Sequence, residues 1–163
     1  MSKVGIPERP GNDPRKKVTS MELWELVARE SIRDLVARYN ANGDSGRFDQ
    51  VMECFAPNAV MNIEGVLHSG QGEIRAMFEG AADSTRDRPE PVLMRHYTST
   101  LQIDVTSPTE ATSRCYYQVI TAKGADHWGR YVDAFTVVDG KWRFSHRKVS
   151  VDGRMAGGFA AGR

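Results

Sequence analysis

The chain predicts an α+β domain in which helices cover one face of a strongly curved antiparallel sheet, leaving a cavity between the layers. Three observations carry this expectation. Apolar residues recur at helical spacing through the first half, whereas from His96 onward alternating segments are separated by turn chemistry. Helices first and a meander afterwards is the pattern of segregated layers. A chain of 163 residues also suits one core, long enough for folding to bury roughly two-thirds of the unfolded surface.

Residues 1–18 hold Pro7, Pro10 and Pro14 and no apolar period, which predicts an arm without a fold of its own. Thr19 and Glu22 form a capping-box signature, and Trp24, Ala28, Ile32, Leu35, Val36 and Tyr39 then recur at helical spacing until Asn42-Gly43. Phe48, Val51, Met52 and Phe55 predict a shorter second helix, stopped by Pro57. Residues 59–64 alternate like a strand. Ser69-Gly70 opens a third helix with Ile74, Met77, Phe78 and Ala81 on one face, and residues 83–91 read as a charged loop able to serve as a lid. The next strand shows His96, Thr98 and Thr100 on a polar face and Tyr97, Leu101, Ile103 and Val105 on an apolar one. Ser107-Pro108-Thr109, Lys123-Gly124-Ala125-Asp126 and Asp139-Gly140 separate the following strands, the last as a type I′ hairpin signal. The folded domain is thus expected over 19–152, followed by a glycine- and alanine-rich tail over 153–163.

A net charge of +1 gives no electrostatic reason to expect nucleic acid. No apolar run approaches the roughly 18 residues of a membrane span, and the first twenty residues lack the apolar segment of a signal peptide. Cys54 and Cys115 fall on different elements, which predicts buried free thiols and a cytoplasmic setting. The four histidines, His68, His96, His127 and His146, show no metal-ligand spacing, and the Gly70-Gln71-Gly72 start lacks the third glycine of a dinucleotide fingerprint, so neither a metal nor a cofactor is expected.

Chemistry is expected around His96. A histidine titrates nearest neutrality of all side chains, and one backed by a carboxylate is a ready general base. Asp44, in the glycine-flanked stretch where the first helix ends, is the carboxylate marked by its setting. Arg147 shares strand parity with Ser145 and Val149, so it is a candidate to meet an oxyanion or leaving group, while Tyr39, Tyr131 and Asp133 are candidate polar contacts. Parity does not say which face is inward. A structural His96, an Asp44 that holds only the helix end, and a salt-bridged Arg147 all remain open readings.

The run Ala28-Arg29-Glu30-Ser31-Ile32-Arg33-Asp34-Leu35, then Gly46-Arg47-Phe48-Asp49 leading to Phe55-Ala56-Pro57, Arg95-His96-Tyr97, and Asp139-Gly140-Lys141-Trp142-Arg143-Phe144 stand in an order that resembles the SnoaL-like branch of the nuclear transport factor 2-like superfamily. The resemblance covers about 21–151. It implies a cone-shaped sheet around a pocket closed by three N-terminal helices. Within that superfamily the chain resembles scytalone dehydratase and hexachlorocyclohexane dehydrochlorinase, which implies His96 as base, Asp44 as its orienting acid and Arg147 as a pocket arginine. Tyr39 stands where the dehydrochlorinase has a lysine, and Thr121 and Tyr131 fall where the dehydratase has a second histidine and an asparagine, so neither substrate transfers. The implied function is a cofactor-independent lyase or isomerase acting on a small hydrophobic, cyclic or aromatic compound. The alternative is a non-catalytic binding domain, or a small subunit resembling the β component of aromatic-ring-hydroxylating dioxygenases. Under either reading a homodimer or homotrimer is expected.

Overall fold

The computed structural model describes residues 21–86, 93–158 and 160. The expected arm, Thr19, part of the expected lid loop, and Phe159 lie outside the described residues. Within them, three helices precede and interleave with a six-stranded sheet.

Helix α1 (Leu23–Gly43) buries Ala28, Ile32, Leu35, Val36, Tyr39 and Asn40, a stripe at helical spacing that faces the sheet. Its N-cap is Glu22, without a side-chain cap, and Trp24 stays outside the stripe at 46% exposure. Helix α2 (Phe48–Met52) is shorter than expected. Phe55 belongs instead to strand β1 (Phe55–Ile63), and Pro57 sits inside that strand, where the ladder to β6 is interrupted between Phe55 and Val60 and no backbone donor is needed. Gln71 donates to the carbonyls of Met52 and Phe55 at 3.1 and 2.9 Å, satisfying groups that the end of α2 leaves over. Strand β2 (Val66–Ser69), absent from the expectation, pairs back on β1 through Glu64-Gly65, both at positive φ. Helix α3 (Gly70–Arg86) takes its N-terminus from Ser69, whose N–H donates to the Glu73 carboxylate at 2.8 Å, and continues into the stretch read as loop.

Strands β3 (Met94–Ser107), β4 (Glu110–Thr121), β5 (Gly124–Val138) and β6 (Lys141–Arg154) form the expected meander. The sheet order is β2-β1-β6-β5-β4-β3, antiparallel except for the β1/β6 pair, and the sheet does not close. Asp139 and Gly140 both have positive φ, as a type I′ turn between β5 and β6 requires.

One irregularity in β3 overturns its expected faces. The register slips between Ser99 and Gln102, with Thr100 at φ 51°. A bulge reverses which alternate residues point inward. Met94, His96 and Thr98 are therefore half-buried on the same concave side as Leu101, Ile103 and Val105, while Tyr97 is exposed. The core beyond the bulge is aromatic: Phe55, Phe135 and Phe144 pack with centroids 5.0–5.4 Å apart, and Tyr39 meets Phe144 edge-on. Cys54 and Cys115 are free and buried, and burial pushes both thiols up to about 11, so they stay protonated near neutrality.

Candidate active site

Where the concave sheet is not filled by that core, a cavity of about 380 Å³ remains between α1, α3 and strands β3 to β6. Its wall is largely apolar, with Phe48, Met61, Met77, Phe78 and Val149 among the lining residues. Such a lining favours a compact, neutral, hydrophobic ligand.

Asp44 caps the C-terminal end of α1, where the helix dipole disfavours an acid by a few tenths to about 1 kcal/mol. Its position is explained by what it holds. One carboxylate oxygen accepts the His96 backbone N–H at 2.9 Å, and the other lies 2.5 Å from His96 Nδ1. Both oxygens are thus fixed to one residue, and the ring can turn neither toward nor away from the helix. The Asp44 side chain is 7% exposed and that of His96 27%, and both line the cavity. With Nδ1–H donated to the carboxylate, Nε2 is left with a lone pair for the cavity.

Tyr39 and Tyr131 also line the cavity and are buried, and burial raises both phenols above their ordinary range. Arg147 is not brought to it. The guanidinium is fully buried, makes two 2.8 Å hydrogen bonds to Asp133, and lies 4.1–4.3 Å from the ring centres of Tyr39, Tyr131 and Phe144. Burial opposes its charge, but the Asp133 carboxylate together with the Tyr39 and Tyr131 phenols more than offsets that, and its pKa is raised. Asp133 is consumed by this pair and by the Ser113 hydroxyl. Thr121 lies away from the cavity at the end of β4, donating to the Gly124 carbonyl at 3.3 Å.

Four lining features escaped the sequence reading. Tyr117 is 3% exposed and its hydroxyl has no partner among the described residues; burial pushes it up to about 12, so it remains a donor. Asn40 donates to the Val36 carbonyl, leaving its side-chain oxygen unpaired. Each such orphan costs about 1–3 kcal/mol, which a bound ligand can relieve. The third is His127, whose Nδ1 lies 2.8 Å from the buried carboxylate of Asp126. The fourth is the ion pair between Glu64 and Arg154. None carried a local signal: side chains of consecutive strand residues such as Asp126 and His127 ordinarily point to opposite faces.

A curved, unclosed sheet covered by helices and hollow on its concave side is the class of nuclear transport factor 2-like proteins with a cystatin-like fold. One such protein, from Novosphingobium aromaticivorans, superposes with a TM-score of 0.66 at 22% identity, over 87% of this chain and 97% of its own. The match of the SnoaL-like domain family to residues 24–148 is more specific, and the chain belongs to that family. A second N. aromaticivorans structure, described as a "putative scytalone dehydratase", gives a TM-score of 0.70 at 22% identity, covering 81% of this chain and 89% of that one. The hexachlorocyclohexane dehydrochlorinase LinA-type3 of Novosphingobium barchaimii gives 0.69 at 16% identity, covering 82% and 92%. At these identities the superpositions establish the fold alone. No curated protein matches the sequence. No described helix is long and apolar enough to cross a membrane.

Proposed function

We propose that the protein is a cofactor-independent lyase or isomerase in which His96, oriented by Asp44, removes a proton from carbon in a small hydrophobic, cyclic or aromatic compound. The single observation that supports this reading best is the 2.5 Å contact between His96 Nδ1 and Asp44 inside an apolar cavity. The C–H proton passes to Nε2, and the Asp44 carboxylate stabilises the imidazolium so formed. The C–H electron pair becomes a new double bond as halide departs with its bonding pair, or as hydroxide departs with that pair and takes the proton back from the imidazolium to leave as water; in an isomerisation, the imidazolium returns the proton to a different carbon. Developing negative charge on the substrate meets the phenols of Tyr39, Tyr117 and Tyr131. The Arg147 guanidinium, paired with Asp133, packs against the rings of Tyr39 and Tyr131. Belonging to a family whose fold relatives include a dehydrochlorinase is consistent with such chemistry.

The test uses 5-nitrobenzisoxazole, a small apolar aromatic whose ring opens when a base takes its one acidic C–H proton. Wild-type protein should open it with saturation kinetics, and His96→Ala and Asp44→Asn should each lower the rate by about 10²- to 10⁴-fold, the contribution of positioned proton transfer. Equal rates for wild type and His96→Ala would overturn the proposal.

A further inference from the structure

His127 repeats the arrangement of His96 on another strand, and the means by which the fold achieves this is unusual. The β4/β5 register slips between Val119, which faces His127, and Ile120, which faces Ala125. Asp126 is the extra residue. A bulge of this kind turns two consecutive side chains to one side of the sheet, and here it lets the Asp126 carboxylate reach the ring of its own neighbour at 2.8 Å. Asp126 is 1% exposed as a side chain and is fastened from a second direction by the Ala160 N–H at 3.2 Å. A carboxylate so buried, holding Nδ1, leaves His127 Nε2 in the cavity wall, where it carries a proton in the imidazolium form whose charge the Asp126 carboxylate balances.

The two rings are also placed in relation to each other. His96 and His127 each pair in register with Val119, one from β3 and one from β5, so their backbones stand two strand spacings, roughly 10 Å, apart on the concave side. The Tyr117 ring lies between them, 6.4 Å from that of His96 and 5.9 Å from that of His127 by centroids, and its buried hydroxyl is the unpartnered one. Besides Asp126, the ionisable groups around His127 are Tyr117 on β4, Arg154 opposite it on β6, and Glu64, which pairs with Arg154.

We propose that His127, held by Asp126, is a second catalytic residue: the general acid that gives a proton to the departing group while His96 takes one from carbon. This rests on the general-base reading of His96. In the probe reaction the C–H proton goes to His96 Nε2, the C–H electron pair completes the nitrile, the N–O bond breaks with its pair on oxygen, and the His127 imidazolium protonates that oxygen. His96 then releases its proton to water and His127 regains one, which closes the cycle.

The experiment compares ring opening across a series of benzisoxazoles, from the 5-nitro compound, whose phenolate leaves readily, to the unsubstituted parent, whose phenolate leaves poorly. An acid matters more as the leaving group worsens. The loss caused by His127→Gln should therefore grow by at least about tenfold across the series, while that caused by His96→Ala stays level. His127→Leu, which keeps apolar bulk but has no proton to give, should steepen the dependence in the same way. If His96→Ala is damaging but both His127 variants lose the same factor with every leaving group, the second dyad is overturned and the base reading survives. If His96→Ala is harmless, the base reading falls first.

Discussion

Arg147 keeps its charge in the interior because Asp133 meets it with two hydrogen bonds across the β5/β6 register, in a place where neither side chain has measurable exposure. Removing one member strands the other. Asp133→Asn should cost about 3–5 kcal/mol of stability, read as a shift in the urea unfolding midpoint, and replacing both residues together by apolar ones should cost much less. The same pair shows what a sequence conceals at this scale. Arg147 has inward parity, but its charge is spent on Asp133 and shielded by Tyr39 and Tyr131 rather than offered to a ligand. Only the cross-strand register brings them together, and register is not written in either residue's neighbourhood. Asp44 and His96 were legible for the opposite reason: an acid at the unfavourable end of a helix and a histidine in an otherwise ordinary strand are local oddities, and their family resemblance ties them together.

Helices α1 and α3 follow from apolar spacing alone, and the β5–β6 hairpin from Asp139-Gly140. Strand irregularities do not follow in this way. The bulges at Thr100 and Asp126 have no composition signature, yet they decide which side chains line the cavity. Strand β2 was missed because four residues are too few to show a period. A third irregularity, between Trp128 and Gly129, brings β6 close against β5, so that a Cβ on Gly129 would lie 1.9 Å from the Ser150 carbonyl oxygen. Backbone cannot step aside as a side chain can. Gly129→Ala should lower stability by about 1–3 kcal/mol or more, measured by thermal unfolding, because the strands must part to admit one methyl group.

The sheet is open, with β2 and β3 as its edges, and its outer face carries Tyr97, Tyr116, Trp128 and Val132, all exposed, on three neighbouring strands. Apolar rings gathered on one face of a sheet with unpaired edges are what an interface between copies covers. Light scattering should give a dimer or trimer, and Tyr97→Ser with Trp128→Ser should shift the mass toward one chain while circular dichroism stays unchanged; a wild-type monomer would remove this expectation. Within a single chain, the reversal at Thr100 has a longer-range result. Residues before it belong to the hollow end of the molecule, and residues after it to the end packed solid with aromatic rings. Changes at Met94 and its neighbours should therefore reshape the cavity wall while the aromatic end keeps its packing.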